Sequence, residues 1–250
     1  SKLDIIIISS TLGVGALGIY NLSKELVLKF VIVVNTISNK VMLPVFTSFQ
    51  DDVNELKRVF VLCLKGTFLF NAPIVGFVVL FCNYIVLIFY GNTFSEAIPI
   101  VQILSVWSLF VVIGQPNSLL AIATKKTNLS FWYTIVRLVV MYLFLTFFGR
   151  FSLLASAITV TVVYVVMFFV SWFMYVRKCI SLSLMEYIRI FEKSFVVIAS
   201  VVLSLFVIRT SMVRLNSDIT NVMILFAYIL LIILFLYFSE KDTIRKFLKR

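Results

Sequence analysis

The chain has 250 residues, of which 62% are hydrophobic and only 13% are charged, and its mean hydropathy is +1.12. Soluble domains carry about 25% charged residues because polar groups must cover their surface, so this composition excludes an ordinary soluble domain. Histidine is absent, which removes the commonest acid–base group and metal ligand of neutral pH. The net charge of +11 lies mainly in short gaps between apolar runs, which is typical of membrane topology and not of a nucleic-acid-binding surface.

Long apolar runs divide the chain, and a helix needs about 20 apolar residues to cross a hydrocarbon core about 30 Å thick. The runs predict an all-α, polytopic transmembrane bundle of about eight spans. The predicted spans cover residues 3–17, 19–49, 59–81 with an extension as far as 90, 97–124, 129–148, 151–176, 194–208 and 219–238. Because Ser1 already stands within one turn of an apolar run, we expect the chain to be part of a longer protein.

Lysine and arginine residues in short loops indicate how the spans are oriented, since short loops rich in these residues stay in the cytoplasm. The C-terminal tail carries Lys241, Arg245, Lys246, Lys249 and Arg250. Alternation from a cytoplasmic tail assigns to the same side the gaps that hold Lys57, Arg58, Lys125, Lys126, Arg177, Lys178, Arg189 and Lys193. The outer gaps then hold only Arg150, Arg209 and Arg214. This pattern predicts a multi-pass protein of the cytoplasmic membrane with a cytoplasmic C-terminus.

Helix-breaking residues interrupt two predicted spans. Pro73 lies in the third span, and Pro116 lies in the fourth between Gln115 and Asn117. Proline removes a backbone donor and clashes with the preceding turn, so we expect helix kinks at both prolines. Freed carbonyls need partners in neighbouring helices or in a water-filled cavity, and we place Gln115 and Asn117 on a substrate path for that reason. The alternative is that membrane helices tolerate proline and glycine without any functional role.

Cations inside the spans are the second class of candidate. Arg137 lies about 16 Å beyond Lys126 along a helix, near the middle of the bilayer. A charge at that depth costs about 2.5–3.5 kcal/mol on insertion scales, so it should face a partner or water. Arg137 is therefore the leading candidate for a substrate-path residue.

The second predicted span adds Lys24 and Lys29, with Asn35 and Asn39 following at helical spacing close to one face. We place all four on the substrate path. The alternative for both lysines is that their side chains extend to the outer membrane interface.

The acidic residues, Asp4 among them, all lie near predicted span ends or in loops, and none is expected in mid-span. A proton-coupled antiporter usually needs a buried carboxylate, whereas a cavity with cations suits an anionic substrate such as a diphosphate-linked lipid. No enzyme motif is present, and we predict neither a metal site nor a cofactor. Residues 13–18 match G-x-G-x-x-G at the end of a predicted span, which we interpret as a helix-ending turn and not as a dinucleotide site.

Several short motifs occur in a familiar order and spacing. They are LDII at 3–6, LG at 12–13, LGIY at 17–20, VMLPVFTSFQDD at 41–52, APIVG at 72–76 and YG at 90–91. This series resembles the second half of Wzx-type polysaccharide flippases over about the first 125 residues. Beyond them only the pattern of spans agrees. Arg137 matches no motif of that family, so its candidacy depends on its depth in the membrane.

The resemblance implies the MATE-like fold of the MOP superfamily, in which two helical lobes surround a central cavity. Residues 1–124 would form the core of the C-terminal transport lobe, residues 125–178 its remaining two spans, and residues 179–250 two additional spans and the tail. The implied function is alternating-access export of oligosaccharides linked to undecaprenyl diphosphate, without enzymatic chemistry. The implied partners are this lipid-linked substrate, membrane lipids and the N-terminal half of the same chain, with no nucleic acid.

Other functions remain open at this point. A MATE-type multidrug or cation antiporter uses the same fold, and a carboxylate cluster in the other half would favour it. A membrane-embedded glycosyltransferase or polymerase usually needs a large outer loop or catalytic carboxylates, and the predicted outer loops are short. A scaffold without transport activity would not need the helix breaks or Arg137.

Overall fold

The computed structural model describes residues 2–211, 227–228 and 230–231. All regular structure in these ranges is helical. The helices are α1 (Lys2–Ser48), α2 (Val53–Tyr90), α3 (Ala97–Ile113), α4 (Gln115–Ala123), α5 (Thr127–Phe148), α6 (Leu153–Ser171), α7 (Arg177–Ile180) and α8 (Leu184–Ser211). Short 3₁₀ turns lie at Asn92–Phe94 and Gly149–Phe151, and a π-helical turn at Trp172–Val176 joins α6 to α7.

Five helical segments are long and apolar enough to cross a membrane. Four of them are Val53–Tyr90, Ala97–Ala123, Thr127–Phe151 and Leu153–Ile180, and the fifth, Leu3–Ile32, has the length and composition but contains a chain reversal at Gly13. The predicted all-α membrane bundle is therefore confirmed, while the number of eight spans stays a prediction. The predicted seventh span, 194–208, lies within α8. The predicted eighth span, 219–238, and the basic tail lie outside the described residues, apart from 227–228 and 230–231, which are helical.

Helix α1 contains a chain reversal at Gly13, which has φ +85° and ψ 175°. Asp4 and Tyr20 are 16 residues apart, a distance of about 24 Å along a continuous helix, yet the Tyr20 hydroxyl donates a hydrogen bond of 2.9 Å to the Asp4 carboxylate. The short arm, 2–12, must therefore fold back antiparallel on the long arm, 14–48. Glycine permits this conformation because it has no Cβ. The predicted boundary between the first two spans, at residue 18, is wrong, since residues 14–17 already belong to the long arm.

Helix α2 begins and ends at residues suited to those positions. The Asp52 side chain accepts hydrogen bonds from the backbone N–H groups of Asn54 and Glu55, at 2.9 and 3.2 Å, and so caps the first turn. Gly91, with φ +76°, ends the helix after Tyr90. The helix of the third predicted span thus extends to residue 90, the end of the predicted extension, and it continues through Pro73.

The fourth predicted span is divided at Gly114 into α3 and α4. Pro116 lies in the first turn of α4, where the missing backbone donor costs no helical hydrogen bond. Helix α3 packs against α1, α2 and α6 and occupies the centre of the bundle. Helix α5 lies at the periphery, because only Met141 and Leu145 are buried along its length. Many of its other apolar side chains are exposed, Phe131, Trp132 and Phe147 among them, as expected of a helix in contact with lipid.

Candidate substrate-path site

A buried ion pair joins the two arms of α1. Asp4 is 1% exposed and Lys24 is 9% exposed, and the Lys24 ammonium donates to the Asp4 carboxylate. The Tyr20 hydroxyl donates to the same carboxylate oxygen. The Lys24 Nζ also lies 5.3 Å from the centre of the Trp107 ring on α3 and 5.5 Å from that of Tyr20. The two charges therefore neutralise each other inside the protein.

This ion pair corrects two expectations. Lys24 does not extend to the membrane interface, which was the alternative to a place on the substrate path, and Asp4 is a buried carboxylate although none was expected within the spans. Both errors have one cause, which is the position of the reversal at Gly13. A turn at that residue brings positions on either side of it into contact, so Asp4 meets Tyr20 and Lys24. The LG pair at 12–13 inside an apolar run was the sequence signal that could have revealed the pair.

Aromatic rings continue from the ion pair toward α5. Trp107 packs edge-to-face on Tyr164 of α6, with 5.6 Å between ring centres. Tyr164 is thus linked through the Trp107 ring to the Lys24 ammonium. Tyr20, Trp107 and Tyr164 were not identified from the sequence, because aromatic residues on membrane helices give no distinctive pattern.

Arg137 lies half-buried at the middle of α5, over the ring of Tyr133. Its guanidinium carbon is 5.7 Å from the centre of that ring, and the tilted ring of Tyr175 packs against Tyr133 with 5.2 Å between ring centres. The Arg137 Nε is buried and has no hydrogen-bond partner within the described part of the chain. The ion pairs found among the described residues do not include Arg137. The guanidinium thus lies over one aromatic ring and keeps its forked donors, which suit phosphate groups.

Lys29 lies on a different face of α1 from Lys24. Five residues of helix separate the two side chains by about 140°, and Lys29 is exposed whereas Lys24 is buried. Three further exposed polar residues share the face of Lys29 at helical spacing, and we name this face the α1 polar stripe. It consists of Glu25, Lys29, Thr36 and Lys40. The structure therefore does not bring the two predicted path lysines together.

A polar stripe on a membrane helix is costly in contact with hydrocarbon, so the α1 polar stripe should face water or protein. Pro44 adds to its polarity, because proline has no N–H to bond the carbonyl of Lys40. Two other predicted path residues, Asn35 and Asn39, belong to the same helix, but their side chains lie outside the described part of the structure.

Asn117 lies in a closed cluster between three helices. Its fully buried amide group donates to the Ser171 hydroxyl on α6 at 2.7 Å and to the Tyr187 hydroxyl on α8 at 2.8 Å. The π-helical turn begins directly after Ser171, so the Asn117 amide joins α4 to the point where α6 departs from α-helical geometry. Gln115 is half-buried in the first turn of α4. Asn117 therefore fastens helices together, and its side chain is not accessible in this conformation.

Around Pro73, α2 is closely packed. The Pro73 carbonyl accepts a hydrogen bond from the Tyr228 hydroxyl. A Cβ on Gly76 would meet that hydroxyl and a methyl group of Val202, each at 2.7 Å, so glycine permits the close approach of these side chains. Pro73 and Pro116 therefore lie at packed helix contacts, and their predicted role as kinks stays a prediction.

An all-helical bundle with long apolar helices, a buried ion pair and a half-buried arginine defines a polytopic membrane protein. Comparison with known proteins narrows this class. Residues 1–99 match the model of a family described as "Polysaccharide biosynthesis protein".

Three proteins similar to this chain are also named for polysaccharide biosynthesis. The lipopolysaccharide biosynthesis protein WzxC of Escherichia coli is 27% identical over 193 residues, which are 75% of this chain and 38% of WzxC. The amylovoran biosynthesis protein AmsL of Erwinia amylovora is 27% identical over 58% of this chain and 37% of its own length. The teichuronic acid biosynthesis protein TuaB of Bacillus subtilis is 28% identical over 53% of this chain and 28% of its own length. No solved structure matches the chain.

These matches confirm the resemblance to polysaccharide biosynthesis proteins that the short motifs predicted. The chain spans less than half the length of the curated relatives that it matches.

Proposed function

We propose that the whole protein is a flippase that exports lipid-linked oligosaccharides, with this chain forming one of two lobes. The substrate is a glycan linked to undecaprenyl diphosphate, which enters from the inner leaflet and leaves at the outer one by alternating access. The names of the three relatives, each a polysaccharide biosynthesis protein, support the substrate class. The proposal also retains the predicted division at residues 124 and 178, the cytoplasmic membrane location and the cytoplasmic C-terminus.

Arg137 is the observation that carries the proposal. A diphosphate leaving water loses strong hydration, and a protein cation with unused donors offsets that loss. Arg137 offers such a cation at the middle of a membrane helix, with no carboxylate partner among the described ion pairs. Lys24 does not, because Asp4 already neutralises it. We therefore assign the diphosphate contact to Arg137.

The α1 polar stripe supplies the second part of the path. Lys29 and Lys40 extend their charges from the face that should contact water or protein, while the lipid tail of the substrate stays in the bilayer. Transport makes and breaks no bond in the substrate, so the proposal includes no enzymatic step, metal or cofactor. The N-terminal half of the protein would close the other side of this path.

A MATE-type multidrug or cation antiporter is the second candidate, and Asp4 is the observation that favours it. Such a transporter uses a buried carboxylate that gains and loses a cation. The Asp4 carboxylate is already bound by Lys24 and Tyr20, and the relatives' names concern polysaccharides and not drugs. The flippase is therefore the better supported function.

The test uses a strain in which the full-length gene is deleted and surface polysaccharide is measured. Wild type should restore the polysaccharide, whereas Arg137→Gln should not, at equal protein levels in the membrane. Arg150→Gln is the matched control, because Arg150 also lies over an aromatic ring, Phe151 at 5.4 Å, but at the predicted outer end of α5. This control should restore export. Normal polysaccharide in the deletion strain together with increased drug sensitivity would refute the flippase and favour the antiporter. Full export by Arg137→Gln would remove Arg137 from the path.

A further inference from the structure

A basic groove lies between the turn that joins α4 to α5 and the short helix α7. Its volume is about 400 Å³. Three lysines line it, Lys125 and Lys126 from the turn and Lys178 from α7, together with Thr127, Asn128 and Leu129 at the start of α5. The predicted topology places this groove at the cytoplasmic face of the membrane. Nothing in the proposed transport path uses it.

Contacts between the two walls hold the groove in shape. The Lys126 ammonium donates to the Lys178 backbone carbonyl at 2.8 Å, and the Thr124 hydroxyl lies 3.3 Å from the Cys179 sulfur. Lys126 therefore has a structural role. The ammonium groups of Lys125 and Lys178 take no part in the ion pairs found among the described residues. Two cationic side chains thus face a preformed groove that has no acidic residue in the first turn of α5.

An apolar surface continues from the groove along α5. Phe131 and Trp132 are 63% and 58% exposed, and they follow Asn128 at the three- and four-residue spacings that share one helix face. Cations at a membrane surface with aromatic side chains just below them match the two ends of a lipid molecule. A free anion would use only the cations.

We propose that this groove, lined by Lys125, Lys126 and Lys178, binds the phosphate headgroup of a membrane lipid whose acyl chain lies on Phe131 and Trp132. Two sources carry this chemistry, which are an anionic phospholipid and a polyprenyl diphosphate. The proposal requires only that the chain lies in a membrane, and it does not depend on the flippase function.

Trp132 provides the measurement. The full-length protein is placed in phosphatidylcholine nanodiscs with increasing fractions of phosphatidylglycerol brominated on its acyl chains, which quench a tryptophan that they contact. Subtracting the signal of Trp132→Phe isolates Trp132. The double variant Lys125→Gln/Lys178→Gln keeps Lys126 and hence the fold. We expect it to need about 30-fold more phosphatidylglycerol, since each lysine contributes roughly a factor of five at a membrane surface.

Lys57→Gln/Arg58→Gln is the matched control, because it removes two basic residues on the same predicted side that already pair with Glu186 and Glu55. It should change the titration by less than about twofold. An equal loss in both double variants, equal quenching by brominated phosphatidylcholine, or displacement by free inorganic diphosphate would each overturn the lipid site. Competition with undecaprenyl diphosphate identifies the source. If a small mole fraction of undecaprenyl diphosphate displaces the brominated phosphatidylglycerol, the site belongs to the lipid diphosphate. If phosphatidylglycerol stays bound, the site belongs to the phospholipid.

Discussion

Lys24 and Arg137 are both cations within apolar helices, and the structure treats them in opposite ways. Lys24 is buried between the arms of α1 and is ion-paired to Asp4. Arg137 is half-buried on α5, the helix with the fewest buried residues among the long helices, and rests on the Tyr133 ring. A buried cation that is paired with a carboxylate of the same chain, as Lys24 is with Asp4, stabilises the fold. A cation without such a partner, as Arg137 is among the described ion pairs, can still bind an anion from outside the protein.

The first prediction concerns the ion pair and has the largest expected effect. Asp4→Asn or Lys24→Met alone leaves an uncompensated buried charge, so each should lower the free energy of unfolding by about 3–5 kcal/mol. The double variant Asp4→Asn/Lys24→Met removes both charges and should recover most of that loss. Thermal melting of the full-length protein in detergent measures all three. If the single variants melt like wild type, Asp4 and Lys24 are not a structural pair, and the comparison with Arg137 fails.

Asn117 tests whether a buried polar side chain without charge, paired inside the protein like Lys24, also stabilises the fold. Its amide is buried and donates to Ser171 and Tyr187, so Asn117→Ala should lower the free energy of unfolding by about 2–3 kcal/mol. Ser118→Ala is a suitable control, because within the described part of the chain the neighbouring Ser118 hydroxyl bonds a carbonyl of its own helix, that of Gln115. The control should stay within about 0.5 kcal/mol of wild type. Equal melting of both variants would show that the cluster around Asn117 does not fasten the helices.

Arg137 should show the reverse pattern, with a small effect on stability and a large one on export. Removing its contact with the Tyr133 ring costs about 1 kcal/mol, the usual strength of a cation–π contact near a surface. Arg137→Gln should therefore melt close to wild type in the experiment used for Asp4. A loss of about 3 kcal/mol or more would place Arg137 with Lys24 as a structural cation, even if export also failed.

How far the sequence could predict this molecule depends on the distance over which each feature is determined. Helical class, membrane insertion and the positions of α2, α5 and α6 follow from apolar runs, which are local. The reversal at Gly13 was expected within residues 13–18 but its exact residue was not, and that shift of a few residues decides whether Asp4 meets Lys24. Local patterns give the existence of a turn more reliably than its register.

The environment of the candidate site was less predictable, because its partners are distant in the chain. Asn117 bonds residues that are 54 and 70 positions away, and no pattern within one helix reveals such pairs. Arg137 was identified from its depth alone, since a charge in mid-membrane is costly wherever its partners are. Its ring partner Tyr133 lies on the same helix, but Tyr175, which packs against Tyr133, belongs to the π-helical turn and became visible only in the structure.

The last and smallest effect concerns an ion pair outside the membrane. Water screens exposed charges, so pairing changes the free energy of unfolding less there than inside the protein. Glu186 at the start of α8 accepts hydrogen bonds from the Lys57 ammonium and from the Ser183 backbone N–H, each at 3.1 Å, and the Ser183 hydroxyl accepts from the Glu186 N–H. The Lys57 ammonium first, and then the Ser183 N–H, hold the pKa of Glu186 below its ordinary value. The reciprocal bonds with Ser183 form a capping box.

A lowered pKa in the folded state fixes the sign of the pH effect. Glu186 stabilises the fold fully above the ordinary glutamate pKa of about 4.3, and this contribution disappears as the pH falls through the lower, folded value. Wild type should therefore melt slightly above Glu186→Gln at pH 7, and the two should converge in acid. Glutamine at this position keeps the capping box, so the difference at pH 7 reports the charge of Glu186 and not the cap. High salt screens the exposed Lys57 pair and should remove most of that difference. A difference that stays unchanged in high salt would show that Lys57 is not its main source.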